Sequence, residues 1–515
     1  MQAVSQGWKD NQKNTIVGES FVELVYEVGD PDSLADASAS DNGAMEFSNT
    51  PLIVNEVDET MVRYATFEKD LWKLDGSCRL LSNSAPYSGT GYVSDEICDD
   101  EGLFSQNPIL TVSFTKVHEK VIPGIIIVWG HVYDDYADSF KVTVYNGETV
   151  VNSVTVEGNT QTISKVMEDI VGYDSITIEI LKWGNPCRRA RVEEIFVGIK
   201  KVYGKSDLLS YRHSMNVDLL SAKLPKAEIK FEVSNLEGEY NPFNLESDAK
   251  YLIERQRIAV RYGYKINNSI EWIKAGTFYL CEWNTPQNGI SASFTARDLL
   301  EFMSAKYTEN ISNTSLYDLA ESVLIQASLP SNRDGSLKWV IDESLKNITI
   351  IEAELKNDIT LAEVLQLVAN AGCCVMYQDR KGKLHIEPLS GDLTDYHINA
   401  HNSYKNAELE LSKKLKSVDV NDGMAVIEND IDGEVQSVKN VLISPDRAVP
   451  VGTWIKDTLK NRMLLKGEFR ADPRLDPLDK ILVSNKYSTN KVIVTEIVYI
   501  YNGAFKGRYE GRVIE

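Results

Sequence analysis

The sequence predicts a mainly β, multidomain protein with an α/β portion, and three observations carry that expectation. At 515 residues the chain far exceeds the roughly 150 of a typical domain. Most of its apolar residues fall in short runs, alternating or continuous, set between turn residues, which is the pattern of strands. Only three segments repeat their apolar residues at helical spacing. A hydrophobic fraction of 43% with 25% charged residues excludes a disordered or fibrous chain. With 54 basic against 76 acidic residues the net charge is −22, so most of the exterior repels phosphate backbones and anionic lipid, and neither a nucleic-acid nor a membrane partner is expected.

Five regions follow one another. Residues 1–105 mix short apolar strands with acidic, Ser/Gly-rich loops at Asp30–Gly43 and Tyr87–Gly102, and the cluster RYATFEKDLWKLDG (Arg63–Gly76) is expected to dock on a core. Residues 106–204 hold strands ILTVSF, IIIVW, FKVTVY, VVNSVTV, SITIEIL and ARVEEIFVGI, the spacing of a jelly-roll-like sandwich. Asn146-Gly147 suits a type I′ hairpin, and SKVMEDI a turn. In residues 205–305, AEIKFEVSN, RIAVRYGY, GTFYLCEW and ISASFTAR alternate with period two, and Pro242 ends the first of them.

Residues 306–405 are the α/β portion. Ser315–Ser328 sets Leu316, Leu319, Ala320, Val323 and Leu324 on one helical face. Thr360 and Glu363 form a capping box, and Gly372 ends that second helix. CVMYQDRKGKLHIEP then reads as a hairpin with a polar turn at Asp379–Gly382. Residues 406–515 return to β structure, with a helix expected at Thr453–Lys466 and strands KILVSN, KVIVTEIVYIY and RYEGRVIE closing a barrel or meander.

Motifs for chemistry are missing. HExxH, GxSxG, a Gly-rich phosphate loop GxxxxGK[ST] and CxxC do not occur, and the adjacent Cys373 and Cys374 suit neither a disulfide with each other nor a shared tetrahedral metal site. His397 and His401 lack a third ligand, and Asp430 and Asp432 echo a calcium loop without its closing Glu. Asp134 with Asp135, or Asp99, Asp100 and Glu101, are carboxylates expected to face water. No catalytic residue, cofactor or metal is expected. The start, MQAVSQGWKDNQ, has no secretory apolar core, and VIPGIIIVWG is about half the length of a bilayer span. The remaining candidate is a glycan contact on the sandwich, Trp129, Tyr133, Trp183 and Arg188, with His131, Tyr136 and Arg189 nearby. Aromatic rings stack on sugar faces, although core tryptophans and acid-paired arginines would look the same in sequence.

EGEYNPFN (Glu237–Asn244), the helix-to-hairpin segment AGCCVMYQDRKGKLHIEP and the closing stretch Asp472–Val513 resemble the baseplate hub or tail-tip proteins of bacteriophages of Gram-positive hosts, and equally those of contractile tail-like bacteriocins. The resemblance spans about residues 205–515. Its signature positions here are Tyr240, Asn241, Pro242, Phe243, Asp472, Pro473, Asn502 and Gly503, with structural roles. It implies two hub β-barrel domains, at 205–305 and 406–515, so that a homotrimer presents six barrels at the end of a tail tube. The sandwich looks like a galactose-binding-like insertion. Implied partners are the tail tube protein, the tape-measure protein and other baseplate or tail-tip proteins, with a host surface glycan as a further candidate. Implied location is the virion tail tip, after assembly in the host cytoplasm. The chain stops at the final barrel, so lytic activity is expected elsewhere. A glycan-binding adhesin and a peptidoglycan hydrolase are the alternative readings.

Overall fold

The structure is a computed structural model and describes all residues except 15, 55–62, 70, 73, 74, 77, 79, 81–90, 245, 286–288, 330–336 and 515. Its centre is one thirteen-stranded sheet. Leu208–Asn216 pairs on one side with Lys226–Ser234 and on the other with Thr489–Tyr501, in register Tyr211↔Tyr501 and Met215↔Ile497. This pairing joins two lobes. The first runs Leu208–Asn216, Lys226–Ser234, Ser291–Arg297, Ser269–Asn284, Arg257–Ile266, Ser20–Val28 and Ile199–Tyr203. The second holds Thr489–Tyr501, Phe505–Val513, Met463–Phe469 and Glu408–Leu411, with Lys480–Ser484 and Leu393–Ile398 beyond the first half of Thr489–Tyr501.

Both lobes curl. The Tyr211 and Tyr262 hydroxyls lie 2.9 Å apart although their strands are four places apart in the sheet. Tyr396 and Phe469, equally far apart in the second lobe, bring their ring centroids to 6.5 Å. The mainly β, multidomain class therefore stands, but the two expected barrels are lobes of a single sheet, neither closed by a continuous ladder among the described residues. Alternation in the strands explains the curl, because each lobe turns its apolar side inward onto a shared aromatic core.

The sandwich is an insertion into this sheet. Val28 and Ile199 are paired neighbours, and the chain leaves at Gly29 and returns at Gly198. A five-stranded sheet (Ser38–Asp41, Ile109–His118, Tyr173–Trp183, Ala137–Asn146, Thr149–Val156) faces a four-stranded one (Tyr92–Val93, Arg191–Val197, Ile125–Trp129, Ile163–Val166). The boundaries expected at 105 and 204 thus shift: Ser20–Val28 belongs to the long sheet, and the sandwich spans about residues 30–197. ARVEEIFVGI is divided by Gly198 between the two. Within the sandwich, Ser164–Val166 of SKVMEDI belong to the strand Ile163–Val166, which completes the sheet edge beside Ile125–Trp129, and the chain bends after it, with positive φ at Met167 and Asp169. The hairpin at Asn146 turns at Gly147-Glu148 with positive φ at Gly147 alone (58°), which fits type II′ rather than type I′.

The helices are α1 (Gln6–Lys13), α2 (Pro31–Asp36), α3 (Leu316–Gln326), α4 (Leu361–Ala371) and α5 (Pro445–Leu459). The short α1 and α2 were not foreseen; α2 lies in a stretch that reads as an acidic loop and is capped by the Asp30 side chain. The Thr360/Glu363 capping box of α4 is present, with Gly372 at its C-cap. Helix α5 lies earlier than the expected Thr453–Lys466, because Pro445 starts it and Leu464–Lys466 are claimed by pairing with Phe505–Val513. The boundary at 405 also moves. Leu415, Val418 and Val420 share one core with α3, α4 and Ala448, Val451 and Ile455 of α5, so residues 415–459 belong with the α/β portion.

Gly198 is the tightest point of the sandwich junction. Its φ is 146°, and a Cβ there would sit 2.4 Å from the Val28 carbonyl oxygen. Gly198→Ala is expected to destabilise the chain by about 2 kcal/mol or more, read as a lower urea midpoint with unchanged slope.

Candidate functional site

The sandwich residues singled out for sugar binding are used inside the fold. Trp129 is fully buried and donates from Nε1 to Ser164 Oγ at 2.8 Å, and its ring lies edge-on to Trp183, 1% exposed. Neither ring has a face free for a glycan, which corrects the expectation drawn from them. Tyr133 is also buried and accepts the Tyr64 amide at 2.8 Å. Arg188 pairs with Asp135 at 2.7 Å.

These side chains surround a buried ion cluster. Arg191, 0% exposed, binds Asp135 at 3.0 Å and Glu68 on its other side, with its guanidinium 4.6 Å from the centroid of the Tyr133 ring. Glu68 also accepts the Arg189 amide at 2.7 Å. The expected docking of Arg63–Gly76 is observed at Tyr64 and Glu68, which enter the sandwich as aromatic and ionic plugs. Asp135 was expected to face water beside Asp134, yet it is fully buried; burial pushes its carboxyl up, opposed by Arg191 and Arg188. A carboxylate held by two guanidiniums is a structural counter-ion, not a free acid or base. Asp430 and Asp432 both pair with Lys414, at 3.1 Å for Asp430, in the loop that crosses from Ala425–Glu428 to Glu434–Val438 on the other side of Leu415–Val420, not in a hairpin turn. All six cysteines are free thiols.

The second constellation lies where the two lobes meet the α/β portion. Arg380, in the hairpin turn read from sequence as merely polar, reaches into the sheet. Its Nε donates to Asp476 Oδ1 at 2.6 Å, Nη1 to the Lys274 carbonyl at 3.1 Å and Nη2 to the Leu475 carbonyl at 2.9 Å. Its guanidinium also lies 5.9 Å from the Tyr262 ring centroid. Lys274 and Tyr262 belong to the first lobe, Leu475 and Asp476 to the second, so one side chain ties three parts. Trp8 of α1 bridges the same lobes, edge-on to Tyr264 at 4.9 Å and donating to Asp472 Oδ1 at 3.3 Å.

Beside Arg380 is a cavity of about 100 Å³ lined by His213, Asp298, Phe278, Tyr377 and Arg380. His213 Nδ1 meets the Tyr262 hydroxyl at 2.8 Å. Burial, reinforced by the Arg380 charge, lowers its pKa to about 3, so the imidazole is neutral. Asp298 accepts the Ala227 amide at 2.8 Å and the Leu300 amide at 3.0 Å, capping the short turn Leu299–Met303. Burial nevertheless pushes it up to about 7. A neutral imidazole bonded to the Tyr262 hydroxyl and a carboxyl engaged by backbone amides hold the wall of the joint.

The positions that carry the sequence resemblance lie in buried contacts and in turns. Tyr240 is fully buried, with its hydroxyl against that of Tyr203. The Asn241 side chain accepts the Phe243 amide at 3.0 Å and its carbonyl accepts the Ser247 hydroxyl at 2.7 Å, fixing the loop around Pro242, while Phe243 is 70% exposed. Asp472 is fully buried and receives both Nε and Nη2 of Arg474; Pro473 is buried beside it. Asn502 and Gly503 form the exposed turn between the last two strands, with Gly503 at φ 96°. Arg380, His213 and Asp298 were missed, since a lone arginine in a turn carries no sequence signal. Trp8 could have been found from Ser5, which caps α1.

No family profile matches the chain, and no curated protein is similar to it. Among solved structures, a tail protein from Neisseria meningitidis is 10% identical with a TM-score of 0.44, covering 61% of this chain and 93% of its own length. The prophage MuSo2 tail protein from Shewanella oneidensis is 11% identical with a TM-score of 0.43, covering 60% and 94%. A prophage tail protein from Listeria monocytogenes is 12% identical with a TM-score of 0.40, covering 61% and 91%.

Arg380→Met leaves the partly exposed Asp476 without its counter-ion and the Lys274 and Leu475 carbonyls without their donor, and a loss of about 1–3 kcal/mol is expected in chemical unfolding, with Arg380→Lys falling between. Asp298 has a folded pKa of about 7, above its unfolded value, so the native state holds the extra proton and stability falls as pH rises from about 4 to about 7. Asp298→Asn is expected to remove a slope of up to about 1.4 kcal/mol per pH unit in that window, measured by urea unfolding of both proteins across it.

Proposed function

We propose that this chain is a structural subunit of a phage-type tail, of the hub or tail-tip class, and that its work is assembly geometry rather than catalysis. The observation that carries the reading is the two-lobed sheet: strands within residues 20–28 and 199–297, and strands within residues 393–411 and 463–513, curl into two lobes joined along Leu208–Asn216 and Thr489–Tyr501. Three copies would present six such units around one axis, the number needed to meet a sixfold tube. The resemblance at Glu237–Asn244 and Asp472–Val513 supports it, because those residues supply the loop and the buried Asp472–Arg474 pair that hold the lobes.

On this reading the partners are the tail tube protein, the tape-measure protein and neighbouring baseplate proteins, and the place is the virion tail tip after assembly in the host cytoplasm. The rigid joint at Arg380 suits a part that must keep its angle under load. The net charge of −22 also suits a conduit for DNA, since like charge disfavours adhesion to phosphate.

Cryo-electron microscopy of the tail tip tests the reading, with native mass measurement of the purified chain beside it. Three copies are expected, with their six lobes repeating at about sixty degrees around the tube axis. Any other copy number in the particle, or lobes that share no axis, would overturn the hub assignment.

A further inference from the structure

Thr149–Val156 is the outer strand of the five-stranded sandwich sheet and, among the described residues, pairs only with Ala137–Asn146. Six of its eight residues are exposed, including Val150 at 53% and Val151 at 42%. The strand reads TVVNSVTV, with no charge and no proline. Proteins ordinarily protect sheet edges by keeping them short or charged. Every other terminal strand among the described residues follows that rule by length, at six residues or fewer. Several add charge: Glu408–Leu411 has two glutamates, Ile199–Tyr203 two lysines, and Ser38–Asp41, across the same sheet, ends in an aspartate.

The strand is held in place rather than frayed. Val154 and Val156 pack partly on the sandwich core, and the Thr143 and Ser153 hydroxyls lie 3.2 Å apart. Roughly half of its residues therefore turn a fixed N–H and C=O outward, as an edge does. Both ends are acidic, with Glu148 before the strand and Glu157 after it, and Asp174 at the Gly147 turn. Antiparallel pairing of two copies centred on Asn152-Ser153 would set Glu148 of each opposite Glu157 of the other, like charges at both ends. The edge thus disfavours itself and favours a cationic-ended strand.

We infer that Thr149–Val156 is a docking edge for an extended segment of a partner protein, uncharged and β-branched at its centre and basic at both ends. The inference goes beyond the tail reading and does not depend on it. Such a segment would add a sixth strand to the sheet, with backbone hydrogen bonds giving affinity and the flanking charges giving selection.

The test uses the full chain with short blocked peptides of alternating threonine and valine, ended either by lysines or by glutamates. At low salt the lysine-ended peptide is expected to bind about fivefold more tightly and to slow hydrogen exchange at residues 149–156. In the Glu148→Lys, Glu157→Lys double variant, whose sites are exposed, the preference is expected to reverse. Absence of slowed exchange at this strand at saturating peptide, or the same preference in the double variant, would overturn the inference. Self-association that protects the strand without peptide would also overturn it, by assigning the edge to a second copy.

Discussion

The structure depends on satisfying one buried guanidinium. Arg380 sits 6% exposed where both lobes of the long sheet meet the α/β portion, and a charge there is tolerable only when its donors find acceptors. Asp476 supplies the opposite charge, and carbonyls of Lys274 and Leu475 supply the rest. Because those acceptors belong to different lobes, meeting the demand of one side chain fixes the angle between them. Tyr262, Tyr211 and His213 then fill the remaining space with hydroxyl and imidazole groups that bond to one another. The join is polar at its centre and aromatic around it, which specifies one arrangement where a purely apolar seam could slide.

The sandwich uses the same device independently. Arg191 is its buried cation, and Glu68 and Asp135 are drawn in from segments far away in sequence. Its attachment is narrow, through Gly29 and Gly198 side by side, but apolar residues of the sandwich, Ile126 and Phe196, belong to the core of the long sheet. The insertion is therefore seated on the sheet rather than tethered to it. Its edge at Thr149–Val156 has no second pairing strand among the described residues, and that is where a further strand can be received.

Much of the local structure was legible. The capping box at Thr360 and the stripe of α4 depend on residues a turn apart, and strand alternation depends on next neighbours. The candidate sites were not legible to the same degree. Trp129 and Trp183 on a β-rich segment look alike whether they face solvent or core, and only the packing of two sheets buried them. Asp135 looked like a solvated acid until Arg191 and Arg188 closed on it. Domain limits moved for a related reason: residues 415–459 follow the second lobe's first strands in sequence but bury their apolar faces against α3 and α4.

By itself the sequence determined what neighbouring residues decide: the β-rich class, the apolar faces of α3 and α4 with the cap of α4, most strands and the acidic exterior. Period, turn chemistry and charge are local quantities, readable without coordinates. The tertiary structure alone decided that two expected barrels share one sheet, that the sandwich enters at Gly29 and leaves at Gly198, and that Arg380 locks the lobes. Each of those rests on residues tens to hundreds of positions apart finding a common dry space. Desolvation and pairing in that space are set by the assembled fold, and no periodicity along the chain encodes them.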